Sequence, residues 1–64
     1  MATTKESREG PTPNGGVRSE AYYSNDQGEP VDKSVATRIE IVEYDAEGKV
    51  VGRTYGTLTP QPTK

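Results

Sequence analysis

Cysteine and histidine are both missing from the 64 residues, and so are tryptophan and phenylalanine. Without cysteine, no disulfide braces the chain and no thiol serves as nucleophile or soft metal ligand. Without histidine, the common zinc sites, Ser-His-Asp triads and imidazole general bases are excluded. Carboxylates, lysine, serine, threonine and tyrosine remain for chemistry. Paired carboxylates serve glycoside hydrolysis, but Glu40 and Glu43 fall on opposite faces of any strand that holds both. A chain this short also forms no deep cleft, so no enzyme and no cofactor are expected.

Apolar side chains are scarce as well. They make up 28% of the chain, against about 45–50% for globular domains when glycine is counted too. No apolar run exceeds three residues, so no membrane span is expected. The polar segment from Met1 to Glu9 lacks the apolar stretch of a secretory signal, and the expected location is cytoplasmic. Net charge is −2 with the signs interspersed, which provides no footprint for a phosphate backbone and makes nucleic acid the weaker partner class. The four tyrosines carry all the aromatic mass. A core this thin leaves the monomer marginal unless self-association or a partner completes it.

Three segments are expected. Residues 1–16 hold no Val, Ile, Leu or aromatic side chain after Met1, and they end in Gly10-Pro11-Thr12-Pro13-Asn14-Gly15-Gly16, a cluster of turn formers. This composition predicts a flexible, disordered N-terminal arm. Residues 17–58 form the domain, and residues 59–64, with two prolines, form a C-terminal tail.

Within the domain the plainest feature is a hairpin. Thr37 to Tyr44 is β-branched and alternating, which is strand chemistry. Asp45-Ala46-Glu47-Gly48 supplies a turn with glycine at the left-handed position, and Lys49 to Tyr55 returns. A three-residue loop with a glycine bulge predicts pairing of Tyr44 with Val50, Glu43 with Val51, Ile41 with Arg53 and Ile39 with Tyr55. In that register Ile39, Ile41, Val51 and Tyr55 share the core face, with Glu43 and Arg53 diagonal on it. Val42, Tyr44 and Val50 form a smaller, exposed patch behind.

An earlier strand is expected at Val17 to Tyr23, ending at Ser24-Asn25-Asp26-Gln27-Gly28. Asn25 and Gly28 stand as Asp45 and Gly48 do, each set preceded by tyrosine and followed three residues on by Val31 or Val51. This strand–turn unit resembles the Tyr–Asp–x–x–Gly turns of bacterial YD and MORN-like β-repeat proteins over about ten residues per copy, without the regular period of an array. No function is carried over. Pro30 confines any strand there to an edge. Asp32 could cap one short helical turn that lays Val31 and Val35 on the sheet; an irregular loop is the alternative. The fold class is thus mainly β, a small antiparallel three-stranded meander.

The glycines match no phosphate-binding loop and read as turns, bulges or kinks, with Gly52 and Gly56 bending the last strand or opening grooves beside Arg53 and Tyr55. Asn25, Asp26 and Glu29 could offer oxygens to calcium, but the spacing is shorter than an EF-hand and lacks its final bidentate glutamate.

Tyrosine gives large contact area at low entropic cost and is enriched at binding hot spots. Tyr22, Tyr23, Arg38, Tyr44 and Arg53 are the candidate partner-binding residues; adjacent Tyr22 and Tyr23 must face opposite ways, while Tyr55 reads as core. The expectation is a small protein-binding adaptor or inhibitor of phage or mobile-element type, using an open sheet edge and exposed tyrosines. A homodimer made by edge pairing or by apposed faces is the related alternative. Single-stranded nucleic acid stacked on tyrosine beside Arg18 and Arg38 is the other.

Overall fold

The computed structural model describes residues 2–59. Four antiparallel strands form one open sheet in the order β1-β2-β3-β4, with no helix among the described residues. The strands are β1 (Lys5–Glu9), β2 (Arg18–Ser24), β3 (Arg38–Tyr44) and β4 (Val50–Thr57). The chain is therefore a meander, as expected, but with four strands rather than three. The additional strand lies in the segment read as a disordered arm.

That strand, Lys5-Glu6-Ser7-Arg8-Glu9, is exposed throughout. It carries no hydrophobic pattern. Backbone pairing with β2 orders it, Lys5 opposite Tyr22 through Glu9 opposite Arg18. Side chains reinforce the pairing: the Tyr23 hydroxyl donates to Glu6 at 2.7 Å, and Lys33 Nζ meets the same carboxylate at 2.9 Å. The breaker cluster that follows is an ordered connection, closed by Gly10 N–H donating to Val17 C=O at 2.8 Å.

Three connections repeat one turn. Gly15, Gly28 and Gly48 adopt φ of 86°, 83° and 84°, the left-handed region that suits glycine. Their N–H groups donate to the carbonyls of Thr12, Asn25 and Asp45. In the second and third turns, Asn25 Oδ1 and Asp45 Oδ1 each accept two further backbone N–H groups. The likeness between the Asn25 and Asp45 turns extends to every one of these bonds. The segment at Asp32 is a single hydrogen-bonded turn and no helix: Val35 N–H donates to Asp32 C=O, and the Asp32 carboxylate accepts from Ser34 N–H.

The β3–β4 register departs from the one expected. Tyr44 does oppose Val50, but a bulge follows, so that Glu43 opposes Gly52, Val42 opposes Arg53, Ile41 opposes Thr54 and Glu40 opposes Tyr55. Val51 is the extra residue. One inserted residue exchanges the faces of everything beyond it. Tyr55 and Arg53 therefore leave the side of Ile39 and Ile41, and the expected Glu43–Arg53 pairing is absent. Arg53 Nε lies instead 3.9 Å from Glu40.

Opposed residues share a face, so two surfaces result. The isoleucine face carries Ala21, Tyr23, Ile39, Ile41 and Glu43 with Thr54; the tyrosine face carries Arg18, Glu20, Tyr22, Glu40, Val42, Tyr44, Arg53 and Tyr55. The expected core is overturned here too. Val42 on the tyrosine face is buried along with Ala36, while Ile39 and Ile41 are only half-buried and Val51 and Tyr55 are exposed. Val42 sits mid-sheet between Glu20 and Arg53.

Candidate partner-binding surface

Glu43 sits on β3 at the end nearest the turn and is 3% exposed. It accepts hydrogen bonds from Asn14 N–H at 3.2 Å and Asn14 Nδ2 at 2.6 Å. The Thr12 hydroxyl, then the Asn14 side chain, holds this carboxyl below its ordinary value. Gly52, opposite Glu43 because of the bulge, makes room: a Cβ there would lie 2.7 Å from Asn14 Nδ2 and 3.2 Å from Glu43 Oε2. The β1–β2 loop thus folds over one end of the isoleucine face.

The other end is crossed by the β2–β3 connection. Thr3 N–H donates to Asp32 Oδ1 at 2.7 Å, Lys33 N–H returns to Thr3 C=O, and the Lys33 ammonium pairs with Glu6. Hydrogen bonds from Ser34 and from Thr3 N–H hold the Asp32 carboxyl down at about 2. Between these two straps lies a furrow of about 380 Å³, lined by Ala21, Tyr23, Ile39 and Ile41 with Glu6 and Arg8 at its outer side.

Among the described residues the tyrosine face has no such straps. On β2 the alternation Arg18, Glu20, Tyr22 places three polar groups in a row. Glu20 accepts from the Tyr22 hydroxyl at 2.5 Å and from Arg18 at 2.7 Å, with Lys5 4.0 Å away. Tyr22, then Arg18, lowers the Glu20 pKa, and the bond to Glu20 is the main cause of a raised Tyr22 pKa. The Arg18 guanidinium lies 4.4 Å from the Tyr44 ring centroid and Lys5 5.9 Å from that of Tyr22, both within cation–π range. Two tyrosine rings are thereby held in fixed orientations, while Tyr55, 70% exposed, stands farther along on edge strand β4.

Of the five candidate residues, Tyr22, Arg38, Tyr44 and Arg53 come together on the tyrosine face, and Tyr23 lies on the other, hydrogen-bonded to Glu6. Tyr55 joins the first group, contrary to its expected core position. Glu20 was not singled out from the sequence, although its place two residues from both Arg18 and Tyr22 carried the signal. Asn25, Asp26 and Glu29, considered for calcium, bond within the loops: the Asn25 amide donates to Glu29, and Asp26 accepts from Thr37. No helix among the described residues is long and apolar enough to cross a membrane.

No protein-family model, curated protein or solved structure matches the chain.

Proposed function

We propose that this chain is a small non-enzymatic protein-binding module, an adaptor or inhibitor, whose contact surface is the tyrosine face and the adjoining β4 edge. One observation carries the proposal. The unstrapped side of a single-layer sheet gathers Tyr22, Tyr44 and Tyr55 with Arg18, Arg38 and Arg53. Tyrosine and arginine are the residue types that dominate hot spots, and here a salt-bridge and cation–π network holds several of them in place before binding, which lowers the ordering cost. Exposed Val50 and Val51 add apolar area at the β4 edge, and an open edge accepts a partner's strand. A cytoplasmic setting and a phage or mobile-element role belong to the same proposal, on size and composition.

The same grouping also favours a second reading, single-stranded nucleic acid stacked on tyrosine beside arginine. Capture of partners on wild type and on an Arg53→Glu/Tyr55→Ala variant, each with and without nuclease, separates the two. The module reading expects a nuclease-resistant protein retained by wild type and lost by the variant. Loss after nuclease, with affinity falling steeply in salt, would replace it with the nucleic-acid reading.

A further inference from the structure

The opposite edge of the sheet, β1, carries a charge pattern that reads the same against itself. In antiparallel pairing about Ser7, Lys5 faces Glu9 of a second copy and Glu6 faces its Arg8, and the reciprocal pairs follow by symmetry. All four charged residues of Lys5-Glu6-Ser7-Arg8-Glu9 then meet an opposite charge directly across the strands.

Backbone geometry allows this register. Tyr23 N–H donates to Thr4 C=O, and Gly10 N–H donates to Val17 C=O. Because antiparallel hydrogen-bonded pairs alternate, Thr4, Glu6, Arg8 and Gly10 turn their polar backbone groups toward β2. Lys5, Ser7 and Glu9 turn theirs to the open edge. A second copy must therefore pair its own Lys5, Ser7 and Glu9 with these. Centring the pair on Lys5, Glu6, Arg8 or Glu9 sets that residue against its own like charge. Centring on Ser7 does not, and it joins Lys5 to Glu9, Ser7 to Ser7 and Glu9 to Lys5 through both backbone bonds each.

Both ends of the free edge are closed by the fold. Thr3 uses its N–H and C=O on Asp32 and Lys33, and Pro11, which would face Thr3 of the second copy, has no N–H to give. Charges on edge strands commonly block pairing; in this arrangement they oppose every register centred on a charged residue of β1 and favour the one centred on Ser7.

We propose that two copies of this chain join through β1 in the Ser7-centred register, forming a continuous eight-stranded sheet with a two-fold axis normal to it. Each face continues into its counterpart across the axis. The β4 edges and the exposed Tyr55 residues lie at the far ends, so the pairing stands independently of the partner-binding proposal and leaves that surface open.

Sedimentation equilibrium of the full chain across a wide concentration range, at low salt, tests it. The expected result is a mass that rises with concentration from 6.9 kDa toward twice that value, with Lys5, Ser7 and Glu9 amides gaining hydrogen-exchange protection in step. Ser7→Pro removes an outward N–H that β2 does not use, so it keeps the fold, checked by circular dichroism, and abolishes the dimer. Arg8→Glu turns two attractive pairs repulsive and weakens the dimer by about tenfold or more. Glu9→Lys likewise turns two attractive pairs repulsive, now with Lys5 of the second copy, and weakens the dimer to a similar degree. A constant 6.9 kDa mass at every concentration overturns the proposal, as does a dimer that Ser7→Pro leaves intact.

Discussion

Asn14 Nδ2 donates to the Glu43 carboxylate at 2.6 Å across 29 positions of sequence, and this bond fastens the β1–β2 loop onto the third strand. Removing the acceptor leaves Asn14 N–H and the Asn14 side-chain amide without the partner they have under the loop. Glu43→Ala should lower the melting temperature clearly more than Glu40→Ala, whose carboxylate faces only Arg53 at 3.9 Å on the surface. Amide exchange at Asn14 should speed up selectively. Equal melting shifts for the two variants would remove the structural role assigned to Glu43.

Gly52 is the counterpart of that clasp. An alanine Cβ there meets Asn14 Nδ2 at 2.7 Å, whereas at Gly56 it meets only Ile39 Cγ2 at 3.3 Å. Gly52→Ala should cost about 1–2 kcal/mol by displacing Asn14, and Gly56→Ala about 0.5 kcal/mol or less. Chemical denaturation of the two variants gives the comparison, and an equal cost for both contradicts it.

Acid should unfold the protein through specific carboxylates. The Ser34 hydroxyl and the Thr3 and Ser34 amides depress Asp32 to about 2 from an ordinary 3.8, and Glu43, Glu20 and Glu6 are lowered from 4.5 by their hydrogen bonds. Each is deprotonated more readily folded than unfolded, so its contribution is complete above the unfolded value and lost as pH falls through the folded one. The urea midpoint should hold above pH 5, then decline continuously toward pH 2. A midpoint flat across that interval contradicts these assignments.

Alkali should distinguish the tyrosines. The bond to Glu20 raises Tyr22, with a smaller push from Tyr44, and the bond to Glu6 raises Tyr23, each from an ordinary 10.0. Their contribution to stability is complete below pH 10 and lost as pH climbs through the raised folded values. Absorbance titration of wild type against Tyr22→Phe and Tyr23→Phe should show that both variants lose late-ionising intensity. Loss of early-ionising intensity instead would contradict the hydrogen bonds to Glu20 and Glu6.

The burial of Val42 can be checked by truncation. Val42→Ala removes two methyl groups from one of the buried apolar side chains and should cost about 2 kcal/mol. Tyr55→Ala, on an exposed ring, should change stability by about 0.5 kcal/mol or less. The reverse order would restore the face expected from the sequence.

Strand chemistry in Arg38–Tyr44 and the Asp45 and Asn25 turns was plain in the sequence, because β-branched alternation and Asx–Gly spacing act locally. Two features were not. The bulge at Val51 accompanies a distant contact, Asn14 lying over Gly52 beside Glu43, and hairpin rules alone place Val51 opposite Glu43. Strand β1 is ordered by backbone pairing and by Glu6 bonds to Tyr23 and Lys33, so apolar periodicity has nothing to register. Four of the five candidate residues converge on one face because alternation along β2 and β3 puts Tyr22, Arg38 and Tyr44 in phase. Arg53 joined them only through the bulge, and Tyr23 was divided from them by the same alternation.

The central claim is that the tyrosine face binds a protein. Affinity capture from the source organism after nuclease treatment, comparing wild type, Arg53→Glu/Tyr55→Ala and the control Arg8→Ala on the other face and the far edge strand, tests it most directly. The expected result is a near-stoichiometric protein held by wild type and by Arg8→Ala but lost by the double variant. A partner held equally by all three would contradict it.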